Sequence, residues 1–356
     1  MSTKSFDFLV FIGRFEPLHA GHLAVVRQGL VQSDKLIVLV GSAWQPRSVR
    51  NPWSYQEREA MVRACLDPEE NARVQIAPLM DVPYNDEAWV RNVQSTVQGL
   101  VTAHYGTPHR RPRIGLIGHS KDHTSFYLKL FPQWESVSVD NIGGLSSTPL
   151  RESFFGVSDA QDESDADWLD SSRAQALPEP VRDLLRAFRI TADYAEVKGE
   201  HEFVARYRKG WAKAPYPPIF VTADAVVVQS GHILLVERKA RPGMGLLALP
   251  GGFVNQDERL LDACLRELRE ETRLKVPAPV LKGSLKARQV FDHPHRSARG
   301  RTITHAFHID LEPAEELAKV KGGDDARHAS WVPLADLDPT RMFEDHYFII
   351  QEMLGL

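Results

Sequence analysis

Short apolar runs and longer amphipathic stretches alternate along the first half of the chain. The apolar runs, each of strand length, are 8–12, 36–40, 114–117 and 137–139. Amphipathic stretches of helical spacing at 22–32 and 55–65 lie between several of these runs. Because parallel strands need crossover connections, this alternation predicts an α/β domain built on a parallel sheet.

The pattern changes after the proline-rich segment 214–218, which we interpret as a linker because prolines prevent regular hydrogen bonding. Beyond it, the apolar runs 225–228 and 233–236 flank Gln229-Ser230-Gly231-His232, which predicts a β-hairpin. A charged helix from about Leu260 to Arg273 follows a Gly-Gly turn. We therefore expect an α+β second domain over 219–356.

The length of 356 residues also favours two domains rather than one compact core. The segment 157–172 carries six acidic residues and no Lys or Arg, which predicts an exposed loop. We place the first domain at 1–213, with a core at 6–156, the acidic loop at 157–172 and terminal helices at 178–213.

Composition narrows the class of protein. There are 43 Lys and Arg against 47 Asp and Glu, and the resulting net charge of −4 does not favour bulk nucleic-acid binding. No apolar run approaches the roughly 20 residues that span a bilayer, and the polar N-terminus does not resemble a signal segment. Two cysteines cannot form a disulfide framework, so we expect a cytoplasmic protein. From the net charge and the short apolar runs, we expect neither a membrane nor nucleic acid as a partner. A homo-oligomer is compatible with all of these features.

The string GRFEPLHAGH, from Gly13 to His22, directly follows the first predicted strand and opens the first predicted helix. Ligands of open α/β sheets bind at this carboxyl edge of the strands. His19 and His22 are three residues apart, so both imidazoles and nearby backbone N–H groups can converge on one anion such as a triphosphate. An isolated His-x-x-His is more often a polar surface feature, but the strand-turn-helix context with Gly13 and Arg14 favours a phosphate site.

This string resembles the (H/T)xGH signature of the nucleotidylyltransferase superfamily. The segments 41–58 (GSAWQPRSVRNPWSYQER), 81–89 (DVPYNDEAW) and 145–151 (LSSTPLR) are similar to the archaeal-type nicotinamide mononucleotide adenylyltransferases. The similarity covers roughly residues 8–155 and implies a Rossmann-like nucleotidylyltransferase domain. It further implies transfer of AMP from ATP to nicotinamide mononucleotide, with Mg²⁺ bridging the phosphates.

The resemblance also implies roles for single residues. His19 and His22 would hold the ATP phosphates, while Arg14, Arg50 and Arg151 would neutralise phosphate oxygens. Substrate contacts are further implied for Gly13, Asp81, Asn85, Trp89, Ser147 and Thr148. Trp89 would face the nicotinamide ring, and the alternative for this side chain is a core aromatic.

A second motif lies in the charged helix of the second domain. Gly252, Glu258, Arg266, Glu267, Glu270 and Glu271 fit the spacing G-x5-E-x7-R-E-U-x-E-E, where U is an apolar residue. Glu267, Glu270 and Glu271 then share one helix face, and a divalent cation such as Mg²⁺ or Mn²⁺ would supply their counter-charge. The alternative is a solvated charged helix.

This pattern resembles the Nudix box, whose family hydrolyses nucleoside diphosphates linked to another group. The resemblance implies Glu267 and Glu271 as metal ligands with the Gly252 carbonyl, Glu270 as a ligand or supporting group, and structural roles for Glu258 and Arg266. The box departs from the family at Arg273, where a small Gly is usual. The strings 291–309 and 324–334 are similar to those of bacterial ADP-ribose pyrophosphatases, which favours ADP-ribose as the substrate.

Together, the two motif sets predict a bifunctional enzyme of NAD metabolism, with ATP, nicotinamide mononucleotide and ADP-ribose as its small-molecule partners. One alternative is a nucleotidylyltransferase for another phosphorylated acceptor. A second alternative is a Nudix-like domain that senses ADP-ribose without cleaving it. The sequence leaves open the choice between the amide and the acid mononucleotide, the preferred metal and the general base.

Overall fold

The computed structural model describes residues 4–105, 111–119, 130–139, 144–156, 168–323 and 326–356. The chain divides into two compact units, Met1–Lys198 and Gly199–Leu356. This division falls within the helix Ala192–Gly210, upstream of the proline-rich segment 214–218. The domain limits given above stay predictions, and residues 157–167 of the acidic loop lie outside the described residues.

The first unit contains a five-stranded sheet in which every pair is parallel, as predicted. The strands are β1 Phe6–Gly13, β2 Ser33–Val40, β3 Val74–Pro78, β4 Ile114–His119 and β5 Glu135–Val139, in the order β3-β2-β1-β4-β5. The central strands β1 and β2 are apolar at consecutive positions because side chains on both faces of the sheet are buried. This topology places the residues that follow β1 and β2 at one edge of the sheet.

Helices cover the sheet of the first unit. They are α1 Ala20–Gln32, α2 Tyr55–Ala64, α3 Pro68–Arg73, α4 Asp86–Tyr105, α5 Ser147–Phe154 and α6 Glu179–Arg189, with 3-10 turns at Trp168–Asp170 and Ser172–Ala176. The helix α7 Ala192–Gly210 begins in this unit and ends in the second. The start of α2 is fixed by Ser54, which accepts a hydrogen bond from the Glu57 N–H while the Glu57 carboxylate accepts one from Ser54.

The second unit contains a mixed sheet, which agrees with the α+β expectation. Its strands are β6 Ile219–Gln229, β7 His232–Arg238, β8 Leu247–Ala248, β9 Gly251–Phe253, β10 Leu285–Phe291, β11 Arg301–Asp310 and β12 Ala326–Pro333. Only β11 and β6 pair in parallel among these described strands. The predicted hairpin joins β6 to β7, and its two turn residues, Ser230 and Gly231, have φ of 47° and 74°, as in a type I′ turn.

Three helices complete the second unit: α8 Leu260–Thr272, α9 Ala278–Gly283 and α10 His346–Leu354, with 3-10 turns at Leu334–Asp336 and Pro339–Arg341. The apolar face of α8 buries Ala263, Cys264, Leu265 and Leu268, so its glutamates lie on other faces. In the described part of the chain, no helix has the length and apolar character needed to cross a membrane.

Candidate active sites

The histidine pair of the first unit lies between the end of β1 and the start of α1. The rings of His19 and His22 stack, with centroids 3.7 Å apart and 21° between their planes. The backbone N–H of His19 donates to Nδ1 of His22 over 3.3 Å, which leaves Nε2 to carry the proton of the neutral His22 ring. A Cβ on Gly21 would come within 3.1 Å of the His19 ring, so glycine allows the backbone to approach it. The pair borders the N-terminal turn of α1, which favours anions.

Three arginines crowd together in the same unit. Burial, followed by the charges of Arg14 and Arg151, lowers the pKa of Arg50 to about 10, while Asp81 opposes this shift. Burial and Arg14 also lower the pKa of Arg151. Repulsion among the three guanidinium groups contributes to these lower pKa values after burial. An anion such as a phosphate would relieve this repulsion.

Arg151 is held firmly by protein groups. Its Nε donates to the Val49 carbonyl over 2.9 Å, and its Nη1 donates to the Glu16 carbonyl over 2.8 Å. Nη2 lies 3.4 Å from the Thr148 hydroxyl, and the Ser147 hydroxyl donates to the Pro17 carbonyl over 3.0 Å. These bonds tie the start of α5 to the loop that carries the histidines, so much of the donor capacity of Arg151 is already used.

The remaining predicted residues of this unit have structural partners. The carboxylate of Asp81 accepts hydrogen bonds from the backbone N–H and the hydroxyl of Ser42. Asn85 accepts from the Ala88 N–H over 2.9 Å and thereby caps α4. Trp89 is half-buried, and its ring centroid lies 5.9 Å from that of Phe131. Part of the side chain therefore packs in the hydrophobic core, which was the alternative interpretation of this residue.

Sequence reasoning did not identify a buried ion pair beneath this site. Arg58 Nε lies 3.2 Å from Oε1 of Glu16, and each side chain is only 1% exposed. Arg58 also donates to the carbonyls of Gly41 and Arg14 over 2.8 and 2.9 Å. It therefore joins the loops that follow β1 and β2. Arg58 carries no local sequence signal beyond its place in an amphipathic helix.

In the second unit, Arg266 binds three glutamates. Its Nε and Nη2 contact both oxygens of Glu258 at 3.0 and 2.7 Å, and Nη1 contacts Glu267 at 2.7 Å and Glu270 at 3.0 Å. The hydrogen bonds from Arg266, with one from the Asn255 N–H, lower the pKa of Glu258 to about 2. Bidentate contacts of this kind fix orientation as well as charge.

Glu271 and Glu267 lie against the turn formed by Gly251 and Gly252. The Gly251 N–H donates to Oε2 of Glu271 over 2.9 Å. A Cβ on Gly252 would come within 2.5 Å of Oε1 of Glu267, so this carboxylate occupies the space of the missing side chain. Burial raises the pKa of Glu271 to about 8, and the charges of Glu267 and Asp224 act in the same direction.

A cavity of about 380 Å³ opens beside these carboxylates. Among the wall residues that sequence reasoning did not assign to a site are Asp224, Arg238, Phe253, Arg299, Phe343 and His346. The guanidinium of Arg238 lies 4.0 Å from the centroid of the Phe343 ring, and that of Arg299 lies 5.1 Å from the centroid of Phe253. These residues come from separate strands, loops and the start of α10, so no spacing in the sequence relates them.

The oxygen donors in this cavity suit a hard divalent cation. Within the described ranges, no three His, Cys, Asp or Glu side chains already form a metal cluster. The predicted set instead combines carboxylates of Glu267 and Glu271 with the Gly252 carbonyl, the oxygen ligands that Mg²⁺ and Mn²⁺ prefer. Burial raises the pKa values of both glutamates, and the charges of Arg266 on Glu267 and of Arg238 on Glu271 oppose this shift only in part. The residues therefore fit a cation.

Comparisons with known proteins match each unit separately. A cytidylyltransferase-like family model matches residues 10–102, and a NUDIX domain model matches residues 218–353. A nicotinamide/nicotinic acid mononucleotide adenylyltransferase from Acinetobacter baylyi is 40% identical over 151 residues, which are 42% of this chain and 76% of that protein. An ADP-ribose pyrophosphatase from Methanocaldococcus jannaschii is 37% identical over 134 residues, which are 38% of this chain and 72% of that protein.

Solved structures from Francisella tularensis are similar over nearly the whole chain, and one of them holds ligands. It is the crystal structure of a bifunctional NMN adenylyltransferase/ADP ribose pyrophosphatase from Francisella tularensis, complexed with AMP and a Mn ion. Its TM-score is 0.86 at 33% identity, and the match covers 98% of this chain and 99% of the other. The chain therefore belongs to the family of bifunctional NMN adenylyltransferases/ADP-ribose pyrophosphatases, with a cytidylyltransferase-like and a NUDIX domain.

Proposed function

We propose that this chain carries out two reactions of NAD metabolism in two separate units. The first unit transfers AMP from ATP to nicotinamide mononucleotide, giving NAD and pyrophosphate. The second unit hydrolyses ADP-ribose to AMP and ribose 5-phosphate. The activities named for the Acinetobacter, Methanocaldococcus and Francisella relatives support both assignments.

The crowding of Arg14, Arg50 and Arg151 is the observation that carries the adenylyl transfer. In this reaction the 5′-phosphate of the mononucleotide attacks the α-phosphorus of ATP, and pyrophosphate leaves. Both reactants are anions, so the protein must mainly position them and neutralise developing charge. We assign the phosphates to these arginines and to His19 and His22, with Mg²⁺ accompanying ATP.

The other predicted residues of the first unit bind or orient the substrates in this proposal. The loop from Gly13 shapes the phosphate pocket. Thr148 positions Arg151 through its hydroxyl group, and the Ser147 hydroxyl ties the start of α5 to the Pro17 carbonyl. Trp89 offers the part of its ring outside the core to the nicotinamide, and Asp81 and Asn85 orient that pocket from its edge.

An acceptor panel tests this assignment most directly. Purified protein with ATP and Mg²⁺ is offered nicotinamide mononucleotide, nicotinic acid mononucleotide and unrelated phosphorylated acceptors, and pyrophosphate release is measured. We expect release with the nicotinamide mononucleotide and formation of NAD. Release only with an unrelated acceptor would support the alternative nucleotidylyltransferase.

The partly buried pair of Glu267 and Glu271 carries the hydrolase assignment. A divalent cation bound there, which we propose to be Mg²⁺ with Mn²⁺ as a substitute, would neutralise the diphosphate and activate water. Glu267, Glu271 and the Gly252 carbonyl hold it, while Arg266 fixes Glu267 and Glu270 in place. Arg238 and Arg299 line the same cavity and would bind the phosphate oxygens of ADP-ribose. Water then attacks one phosphorus and the bridging P–O bond breaks.

Incubation with ADP-ribose and Mg²⁺ separates this proposal from a sensor. We expect AMP and ribose 5-phosphate as products, detected by chromatography. Tight binding of ADP-ribose with no product after prolonged incubation would support the sensing alternative.

A further inference from the structure

His346 is a buried histidine in the NUDIX cavity that no motif of the sequence includes. It begins α10, is 6% exposed, and lines the cavity with Asp224, Glu267 and Glu271. The backbone N–H of Leu249 donates to its Nδ1 over 2.9 Å. Leu249 immediately precedes the Pro250-Gly251-Gly252 turn, so this hydrogen bond links the ring to the segment that carries Gly252 of the proposed cation site.

The Leu249 contact fixes the tautomer of His346. A ring nitrogen that accepts a hydrogen bond has no proton, so the proton of the neutral imidazole lies on Nε2. Among the described residues, no group accepts a hydrogen bond from Nε2, and this atom is open to the cavity. The ring therefore presents one N–H donor to the cavity.

Neighbouring groups hold this donor in place. Arg296 makes two 2.9 Å hydrogen bonds to the Asp345 carboxylate, and both side chains are buried. Because Asp345 directly precedes His346, this pair fixes the start of α10. The Phe343 ring meets the imidazole edge to face, with centroids 5.5 Å apart and planes at 69°. A donor held in advance loses little conformational freedom when a ligand binds.

We propose that His346 binds the substrate by donating its Nε2 proton to an oxygen atom of ADP-ribose. This inference rests on the proposed hydrolase function and deepens it. The arrangement also excludes His346 as the base that activates water. A base would need its lone pair on Nε2, and the proton would then lie on Nδ1, facing the N–H of Leu249.

Two substitutions separate the two nitrogens. In His346→Asn, the amide oxygen replaces Nδ1 and can accept from Leu249, but the donor facing the cavity is lost. In His346→Gln, the amide nitrogen replaces Nε2 as a donor, but the Leu249 N–H loses its acceptor. We expect KM for ADP-ribose to rise about tenfold in His346→Asn and by less than about threefold in His346→Gln, with kcat nearly unchanged in both. Thermal melting should show the opposite order, with His346→Gln the less stable variant.

Each alternative role gives a different result in the full-length enzyme with Mg²⁺. A purely structural role would impair KM in His346→Gln and spare it in His346→Asn. A role as general base would lower kcat of both variants by about 10²-fold or more. Either result would overturn the proposal. If the wild-type enzyme does not hydrolyse ADP-ribose at all, the proposed function itself fails, which the wild-type control shows independently of the variants.

Discussion

Arg273, the position at which the sequence departs from the Nudix box, has an unusual backbone conformation. It follows the last residue of α8 with φ of 46° and ψ of 32°, the left-handed conformation that favours Gly. A side chain there costs about 1 kcal/mol relative to Gly. We expect Arg273→Gly to raise the unfolding free energy of the second unit by about 1 kcal/mol relative to Arg273→Ala. The alanine variant is the control, since it removes the same contacts without relieving strain. Equal thermal stability of the two variants would contradict this account.

Glu271 should make metal binding depend on pH. Its pKa is raised to about 8 by burial, so below pH 8 a cation must displace a proton from it. We expect Mn²⁺ affinity to increase by up to about tenfold per pH unit between pH 6 and 8 and to level off above pH 8. Paramagnetic resonance of free Mn²⁺ measures this affinity. Glu271→Gln should bind weakly without this slope, whereas an unchanged slope in that variant would assign the proton to another group.

At the scale of elements, the turn through β9 sets the position of the α8 carboxylates. The atoms nearest to a Cβ on Gly252 belong to the Glu267 side-chain carboxylate, whereas a Cβ on Gly251 comes within 2.5 Å of the Ala223 backbone carbonyl on β6. We expect Gly252→Ala to lower ADP-ribose hydrolysis at least about tenfold with little loss of stability. Gly251→Ala should destabilise the second unit by about 1–3 kcal/mol. Assays of turnover and thermal melting on both variants measure this difference, and the reverse pattern would show that the backbone is not the constraint.

The order of the elements along the chain explains which features could be predicted from the sequence. Strands β1 and β2 and the glutamate face of α8 follow from periodicity and spacing, because their residues are neighbours along the chain. Asp224, Arg238 and His346 lie on β6, β7 and α10, so only the folded sheet brings them to one cavity. For the same reason, the family resemblance that implied Arg151 as a phosphate ligand could not show that backbone carbonyls already bind it.

For the whole molecule, the two sites have opposite electrostatic imbalances. Cationic groups crowd around Arg50 in the first unit, and carboxylates crowd around Glu271 in the second. Each unit also has its own hydrophobic core. The ligands proposed above would relieve each imbalance, phosphates in the first unit and a cation in the second. The described residues that we assign to each reaction lie within one unit, which predicts that the two activities are separable by single substitutions.

We expect His22→Ala to reduce NAD formation by about 10²-fold or more and to leave ADP-ribose hydrolysis at the wild-type rate. Glu271→Gln should do the opposite, because its amide oxygen can still accept from Gly251 and preserve the strand while the negative charge is lost. Both rates are measured on the same full-length preparations, and thermal melting controls for folding. The double variant should lose both activities to the extent of the single variants, as independent sites require. Loss of both activities in either single variant would mean that the two units share a component of catalysis, which the placement of these charges does not provide.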